Sequence, residues 1–161
     1  MDDFVEKINT IELLALHEEA LAQLYSTYAE KFPECDVWSY LYGEETKHSG
    51  WVRSILDNVE EGSIDFQDMH LSQRTIEISL RTLERHQKQA EDRQINLEGA
   101  LDKAFKLENS IIENKYLDYF SSLNDGVQKV LDDLKSDTKD HREMLRKKRE
   151  EYIIKKRNER V

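Results

Sequence analysis

The sequence predicts an all-α protein, a four-helix bundle in which a long crossover joins two antiparallel helical hairpins. The 161-residue chain has only five Gly and one Pro, and 36% of its residues are charged, which is typical of long helices. No period-two run of β-branched residues bounded by turn residues predicts a strand. Short links join the first two and the last two long helices, whereas roughly 35 residues separate the pairs, enough for a crossover with an extra helix.

The first hairpin is predicted from its capping and breaking residues. Its first helix begins at a capping box formed by Asn9 and Glu12 and ends before Pro33. Its second helix is capped by Asp36 and stops near Gly62. The short link between the two helices makes them antiparallel neighbours.

The crossover contains an irregular part and a helical part. Residues 63–72 show no regular pattern and are predicted to be irregular. Residues 73–93 are polar but carry a thin apolar line at helical spacing, which predicts the extra helix. The residues of this line are Ile76, Leu80 and Leu83.

The second hairpin begins at Asn96, whose side chain caps a helix that is predicted to run to about Leu123. Residues 124–126 are predicted to form a turn, and the last helix is predicted to continue to near the C-terminus. We divide the chain into a bundle, residues 1–145, and a basic helical extension, residues 146–161. The extension is predicted to overhang the hairpin, either in solvent or against the acidic body of a second subunit, with nucleic acid or anionic lipid as weaker alternatives.

Charge and composition exclude several classes of function. The net charge is −10, and an acidic body argues against nucleic acid as the main partner. No apolar run is long enough to span a membrane, and the N-terminal residues do not have the pattern of a signal peptide. The single Cys35 excludes a disulfide framework and a four-cysteine metal knuckle, and we expect it to be a free surface thiol. We therefore expect a cytoplasmic protein.

The second helix carries two polar residues in the middle of its core-facing stripe. These residues are Glu45 and His48, and their spacing places them on one helix face. An unpaired buried carboxylate costs several kcal/mol, so such a group is normally paired, protonated or bound to a cation. The complete stripe consists of Trp38, Leu41, Glu45, His48, Val52, Ile55 and Val59.

The other three long helices also place a metal-ligand type in mid-stripe. These residues are Glu18 on the first helix, Glu108 on the third and His141 on the fourth. Such a set predicts a buried metal site between the four helices. A metal-free alternative stays open, in which Glu45 pairs with His48, and Glu108 with His141, as buried ion pairs.

The segments that carry these residues resemble the rubrerythrin-type branch of the ferritin-like superfamily. The resemblance covers essentially all of residues 8–146 and implies a ferritin-like bundle with a pair of irons. In this family a tyrosine hydrogen-bonds a ligand carboxylate across the bundle, a role that would fall to Tyr25. The matching segments are residues 17–20, 41–48, 104–108 and 139–145.

The resemblance also implies a role for each ligand. Glu18 would be a terminal ligand, and Glu45 would bridge the two metals with His48 bound beside it. Glu108 and His141 would serve the second metal. No catalytic residue is expected beyond these ligands, apart from Tyr25 as a candidate.

The sequence departs from the family pattern at the second metal. Thr138 stands where a second bridging glutamate belongs, although Asp137, one residue earlier, could swing in with its shorter arm. Ile111 replaces a further carboxylate that rubrerythrins often carry on the third helix. The rubredoxin-like domain is missing, so electrons would have to come from a separate donor.

The implied function is reaction of reduced iron with peroxide or dioxygen, as in peroxide reduction or ferroxidation. Manganese in place of iron, or a single metal, stays open. The alternative function is a non-catalytic iron-binding, storage or interaction bundle with a degenerate site. We expect a homodimer that binds neither nucleic acid nor membrane.

The remaining histidines and two glutamates beside the proposed ligands are predicted to lie outside the site. His17, His70 and His86 fall off the stripes or in the crossover and are expected at the surface. Glu19 and Glu44 are expected to be solvated or to support a ligand rather than to bind metal directly.

Overall fold

Helices make up most of the chain that the structure describes. The structure, a computed structural model, describes residues 3–57, 64–66, 72–110, 120–122 and 125–161. The predicted all-α class is confirmed, with the small addition of two strands of three residues each. No helix within these ranges is both long and apolar enough to cross a membrane. The elements are α1 (Asp3–Lys31), α2 (Val37–Asp57), β1 (Ile64–Phe66), α3 (Gln73–Glu91), α4 (Leu97–Glu108), β2 (Phe120–Ser122) and α5 (Asp125–Asn158).

The first helix is longer than its capping signal predicts. It begins at Asp3 rather than at Asn9 and ends at Lys31, just before the chain's single proline. The half-buried Ile8 lies three residues before the buried Ile11, so the apolar stripe continues through the supposed cap. Burial of this stripe outweighs a local capping preference that contributes only about 1 kcal/mol.

The second helix, α2, packs against α1. It begins one residue after Asp36, as predicted, and its described part ends at Asp57. The predicted stop near Gly62 lies outside the described residues.

The extra helix of the crossover is confirmed as α3, which packs against α1. The hydroxyl oxygen of Ser72 accepts a hydrogen bond from the Thr75 amide at 3.3 Å and caps the helix. The predicted apolar line faces inward: Ile76 and Leu83 are buried, and Leu80 is half-buried against the core.

The fourth helix, α4, begins at its predicted cap but ends much earlier than expected. The side-chain oxygen of Asn96 accepts a hydrogen bond from the Gly99 amide at 2.9 Å, which confirms the cap. The helix ends at Glu108, so its predicted end near Leu123 is wrong. Asn109 and Ser110 follow this end, and short polar residues of this kind favour turns over helix interiors.

One short strand follows this end of α4, and its partner strand precedes α3. Phe120–Ser122 forms β2, which pairs antiparallel with β1. Residues 111–119, which include Ile111, lie outside the described part of the chain.

The last helix runs without a break and packs along α4 and α2. The expected overhang is wrong, because the basic extension pairs with acidic residues of its own chain. The first half of α4 lies beside the extension, and Tyr152 of the extension packs against the apolar core. The ion pairs are Lys148 with Asp36 at 2.9 Å, Arg149 with Asp102 at 2.8 Å and Lys156 with Glu98 at 2.6 Å.

Two apolar clusters are separated along the helices by a layer of buried polar residues. The first core cluster lies between α1, α2, α3 and α5 and consists of Ile11, Leu14, Ala15, Val52, Ile55, Ile76, Val127, Leu131 and Leu134. The second core cluster involves all five helices, and its largest members are Tyr25, Tyr28, Trp38, Leu41, Leu101 and Leu145. α1 and α5 each run from the first core cluster to the second, whereas α2 runs from the second to the first. The polar layer between the clusters is therefore reached from several helices at one level.

We expect Tyr152→Ala to lower the free energy of unfolding by about 1–2 kcal/mol, because the ring of Tyr152 packs against the second core cluster. Ile154→Ala is the matched control, since Ile154 lies on the same helix but is 57% exposed. It should change stability by less than about 0.5 kcal/mol. Urea unfolding followed by circular dichroism measures both. Equal losses of unfolding free energy in the two variants would show that the extension does not pack against the bundle.

Candidate metal centre

All five residues predicted as metal ligands meet in the polar layer between the two core clusters. Four helices contribute: α1 supplies Glu18, α2 supplies Glu45 and His48, α4 supplies Glu108, and α5 supplies His141. Each of the five is at most 1% exposed. Their convergence confirms the stripe analysis for these positions, and their role as ligands stays a prediction.

The five residues divide into two triads that share one carboxylate. Glu18, Glu45 and His48 form one triad, and Glu45, Glu108 and His141 form the other. Within each triad the ligand atoms lie within 4.8 Å of one another. Ligands on opposite sides of one metal ion are about 4.2 Å apart when each bond is about 2.1 Å, so small side-chain movements suffice to close either triad on an ion.

The shared carboxylate, Glu45, lies between the two imidazoles. Its Oε2 is 3.0 Å from Nδ1 of His48, and its Oε1 is 2.9 Å from Nδ1 of His141. The same nitrogen of His141 is 3.9 Å from Oε2 of Glu108. The two rings are stacked, with centroids 5.1 Å apart. Glu45 is therefore the residue that contacts both halves of the site.

The layer carries more negative groups than its histidines can balance. Three buried carboxylates, those of Glu18, Glu45 and Glu108, face two imidazoles, so even two imidazolium ions would leave an excess negative charge. Burial raises the pKa of Glu45 to about 8; Glu44 and Asp137 also raise it, whereas hydrogen bonds with Glu18 and Glu108 lower it. Such a cluster is stabilised either by a proton or by a cation.

Several polar atoms of the layer have no hydrogen-bond partner among the described residues. These atoms are Oε1 of Glu45 and both ring nitrogens of His141. The 2.9 Å approach of Glu45 to His141 is short enough, but it lacks hydrogen-bond geometry. Buried polar groups are normally satisfied by a protein atom, a water molecule or an ion. Carboxylates and imidazoles together suit iron and manganese, so this donor set fits the predicted metals.

Tyr25 makes the contact with a glutamate that the resemblance implies for it. Its hydroxyl group donates a 2.7 Å hydrogen bond from α1 to Oε1 of Glu108 on α4, and both groups are buried. The ring of Tyr25 packs against Trp38, with centroids 5.9 Å apart. The bond holds the Glu108 carboxylate at the edge of its triad.

The position of the missing bridging carboxylate is buried. Thr138 is 4% exposed and brings no carboxylate into the layer. Asp137 lies near the site but in neither triad of the polar layer. Its Oδ2 is 3.4 Å from Nε2 of His48 and 3.1 Å from the ammonium group of Lys47. Asp137 therefore supports a ligand from outside instead of replacing the missing one.

His17 is fully buried, so its expected surface location is wrong. Its Nε2 lies 2.8 Å from the hydroxyl oxygen of Ser79 on α3. A second stripe at helical spacing could have revealed this position, because α1 packs against both α2 and α3. This stripe consists of Leu14, His17, Leu21, Leu24 and Tyr28, all of which are buried.

The remaining histidines, Glu19 and Cys35 belong to neither triad. His86 is half-buried, with Nδ1 3.3 Å from the Lys103 ammonium group, and His70 lies outside the described residues. Glu19 is paired with Arg53 at 2.6 Å, away from the polar layer. Cys35 is a free thiol, as predicted, but it is half-buried rather than fully at the surface.

Comparison with known proteins adds no relative. No protein-family model, curated protein or solved structure matches this chain. The function is therefore argued from the site itself.

We expect His17 to make the protein less stable in acid. Burial lowers the pKa of His17 to about 4, although Glu18 opposes the shift, so the unfolded chain binds the proton more tightly. Stability contributed by the neutral ring should be complete above about pH 6.5 and should decline towards pH 4, by up to roughly 3 kcal/mol. Urea unfolding across this range, with chelator present, measures the decline.

The variant His17→Gln removes this titration and should flatten the dependence. His86→Gln is the matched control, because His86 is only half-buried, and should leave the slope closer to that of the wild type. Identical slopes in the wild type and His17→Gln would contradict the assignment.

Proposed function

We propose that the chain is a ferritin-like four-helix protein that binds two iron ions and promotes the reaction of Fe(II) with peroxide or dioxygen. The observation that carries this proposal is the pair of buried triads sharing Glu45. A shared carboxylate between two ligand sets is the arrangement of a two-metal carboxylate site. The packing of α1 with α2, and of α4 with α5, is consistent with two helical hairpins.

The ligands divide between the two ions as the triads do. Glu18 and His48 would hold one ion, Glu108 and His141 would hold the other, and Glu45 would bridge them. When bound, a pair of reduced iron ions supplies the electrons for reduction of peroxide or dioxygen. The shared position of Glu45, with its unpartnered Oε1 and the two unpartnered ring nitrogens of His141, supports divalent cations over a metal-free ion-pair core.

The chain's own groups would orient the ligands and exclude water. Tyr25 holds one oxygen of Glu108 at 2.7 Å, which restricts the rotation of that carboxylate. The two core clusters close the layer above and below with apolar side chains. A dry site strengthens the attraction between carboxylates and cations. A homodimer, a cytoplasmic location and a separate electron donor stay predictions.

We expect Glu45→Gln to abolish binding of the metal pair, because Glu45 is the only carboxylate common to both triads. Affinity should fall by more than the roughly 10- to 100-fold typical of losing a supporting residue. Iron analysis after anaerobic loading with Fe(II) measures the effect. The control is Glu19→Gln, because Glu19 lies beside a proposed ligand but pairs with Arg53 outside the layer.

Two outcomes separate the proposed activity from the alternative function. Iron bound by the wild type and oxidised by peroxide faster than free Fe(II) supports the enzyme. Iron bound without faster oxidation identifies a storage or interaction bundle instead. Absence of bound metal in the wild type, with unchanged stability in Glu45→Gln, would refute both the proposed activity and iron storage.

We expect Thr138→Glu to strengthen the second half of the site. Position 138 is buried and lies three residues before His141, where a glutamate faces the same layer. The metal-free variant should be less stable than the wild type, because it buries a further carboxylate. The gain in melting temperature on adding Fe(II) anaerobically should therefore be larger in the variant. An equal or smaller gain would show that position 138 does not face the metals.

A further inference from the structure

A second tier of charged groups lies on the solvent side of the polar layer, between α2 and α5. Its members are Glu44, Lys47 and Asp137, whose side chains are 21%, 37% and 26% exposed. They surround the outward sides of His48 and His141, which are almost fully buried. The proposed metal pair does not use this tier.

Each imidazole faces the buried carboxylate with one nitrogen and the outer tier with the other. His48 has Nδ1 3.0 Å from Glu45 and Nε2 3.4 Å from Asp137. His141 has Nδ1 2.9 Å from Glu45 and Nε2 3.7 Å from Glu44. The two histidines thus connect an inner and an outer set of carboxylates.

One carboxylate of the outer tier and the two histidines form a third group of residues that could bind a metal ion. Glu44, His48 and His141 offer one ligand atom each within 4.8 Å of one another. His141 is 1% exposed, and its Nε2 has no hydrogen-bond partner among the described residues. A buried, unpartnered nitrogen 3.7 Å from a carboxylate can bind a cation together with that carboxylate.

In the structure a positive charge already holds the outer carboxylates together. The Lys47 ammonium group lies 2.8 Å from Glu44 and 3.1 Å from Asp137. It also lies 4.8 Å from the centre of the Trp51 ring. Because its flexible stem is partly exposed, the ammonium group can leave this position for solvent without exposing the core.

We propose that Glu44, His48 and His141, with Asp137 beside them, form an outer receiving site through which divalent metal reaches the buried triads. An incoming ion displaces the ammonium group of Lys47. The proposal rests on the proposed function, because the buried triads are the destination. A neutral imidazole offers one lone pair, so each ring serves the outer and inner sites in succession.

Rapid mixing with Co(II), whose visible absorption reports carboxylate and imidazole ligands, tests the proposal. Chelator-treated protein is mixed with Co(II) without oxygen, and the loading rate and final amount bound are recorded. Glu44→Gln should load roughly tenfold more slowly, since clefts of one charge raise cation association rates at least this much, and should bind the same final amount. Lys47→Met should load faster than the wild type, because no ammonium group competes, whereas Lys47→Arg should not.

Glu19→Gln is the matched control, because Glu19 also adjoins a proposed ligand but pairs with Arg53 away from the histidines. Its loading rate should equal that of the wild type. Equal rates in Glu44→Gln and Glu19→Gln would overturn the receiving site and leave the proposed function intact. A lower final amount in Glu44→Gln with an unchanged rate would make Glu44 an orienting residue for His141 and would also overturn it. Wild-type protein that binds no Co(II) would overturn the proposed function and the receiving site together.

Discussion

Burial of three carboxylates at one level of the helices is the constraint on which the rest of the structure depends. Glu18, Glu45 and Glu108 come from three different helices and are at most 1% exposed. Placing them together opposes folding unless a proton or a cation compensates. The two core clusters supply the apolar burial that holds the helices together despite this cost. The stabilising apolar contacts thus lie on either side of the polar layer, and the reactive groups lie between them.

The histidines organise the layer around this constraint. His48 and His141 stack on each other and both approach Glu45. Their outward nitrogens approach two carboxylates that Lys47 joins. The layer therefore passes from buried carboxylates, through the two imidazoles, to partly exposed carboxylates and an ammonium group. A site built in this way can hold cations inside a helical core.

The sequence predicted the helical stripes well, since each stripe depends on burial that repeats along one helix. All the described positions of the stripe on α2 are buried, and so are the mid-stripe residues Glu18, Glu108 and His141 of the other helices. The burial of His17 does not follow from a single core-facing stripe, because α1 contacts both α2 and α3. A single sequence does not reveal how many neighbours a helix has.

Helix ends are harder to predict, because capping by a local side chain competes with burial of apolar residues against other helices. Asn96 was identified correctly, since a cap with no competing apolar stripe decides the start of α4. Asn9 has the same chemistry, but the stripe through Ile8 and Ile11 continues across it. Pairing of the basic extension with α4 was missed for a related reason: it depends on where the partner helix begins in space. The same limit applies to Lys47, whose two partners lie on different helices.

The early end of α4 has an electrostatic consequence for the centre. Glu108 is the last residue of the helix, so the carboxyl end of the α4 dipole lies at the polar layer. Partial negative charge at a helix C-terminus favours cations by up to about 2 kcal/mol when the site is partly buried. The peptide groups of α4 would therefore add to the attraction exerted by the side chains. A helix continuing to residue 123 would have carried that negative end away from the carboxylates.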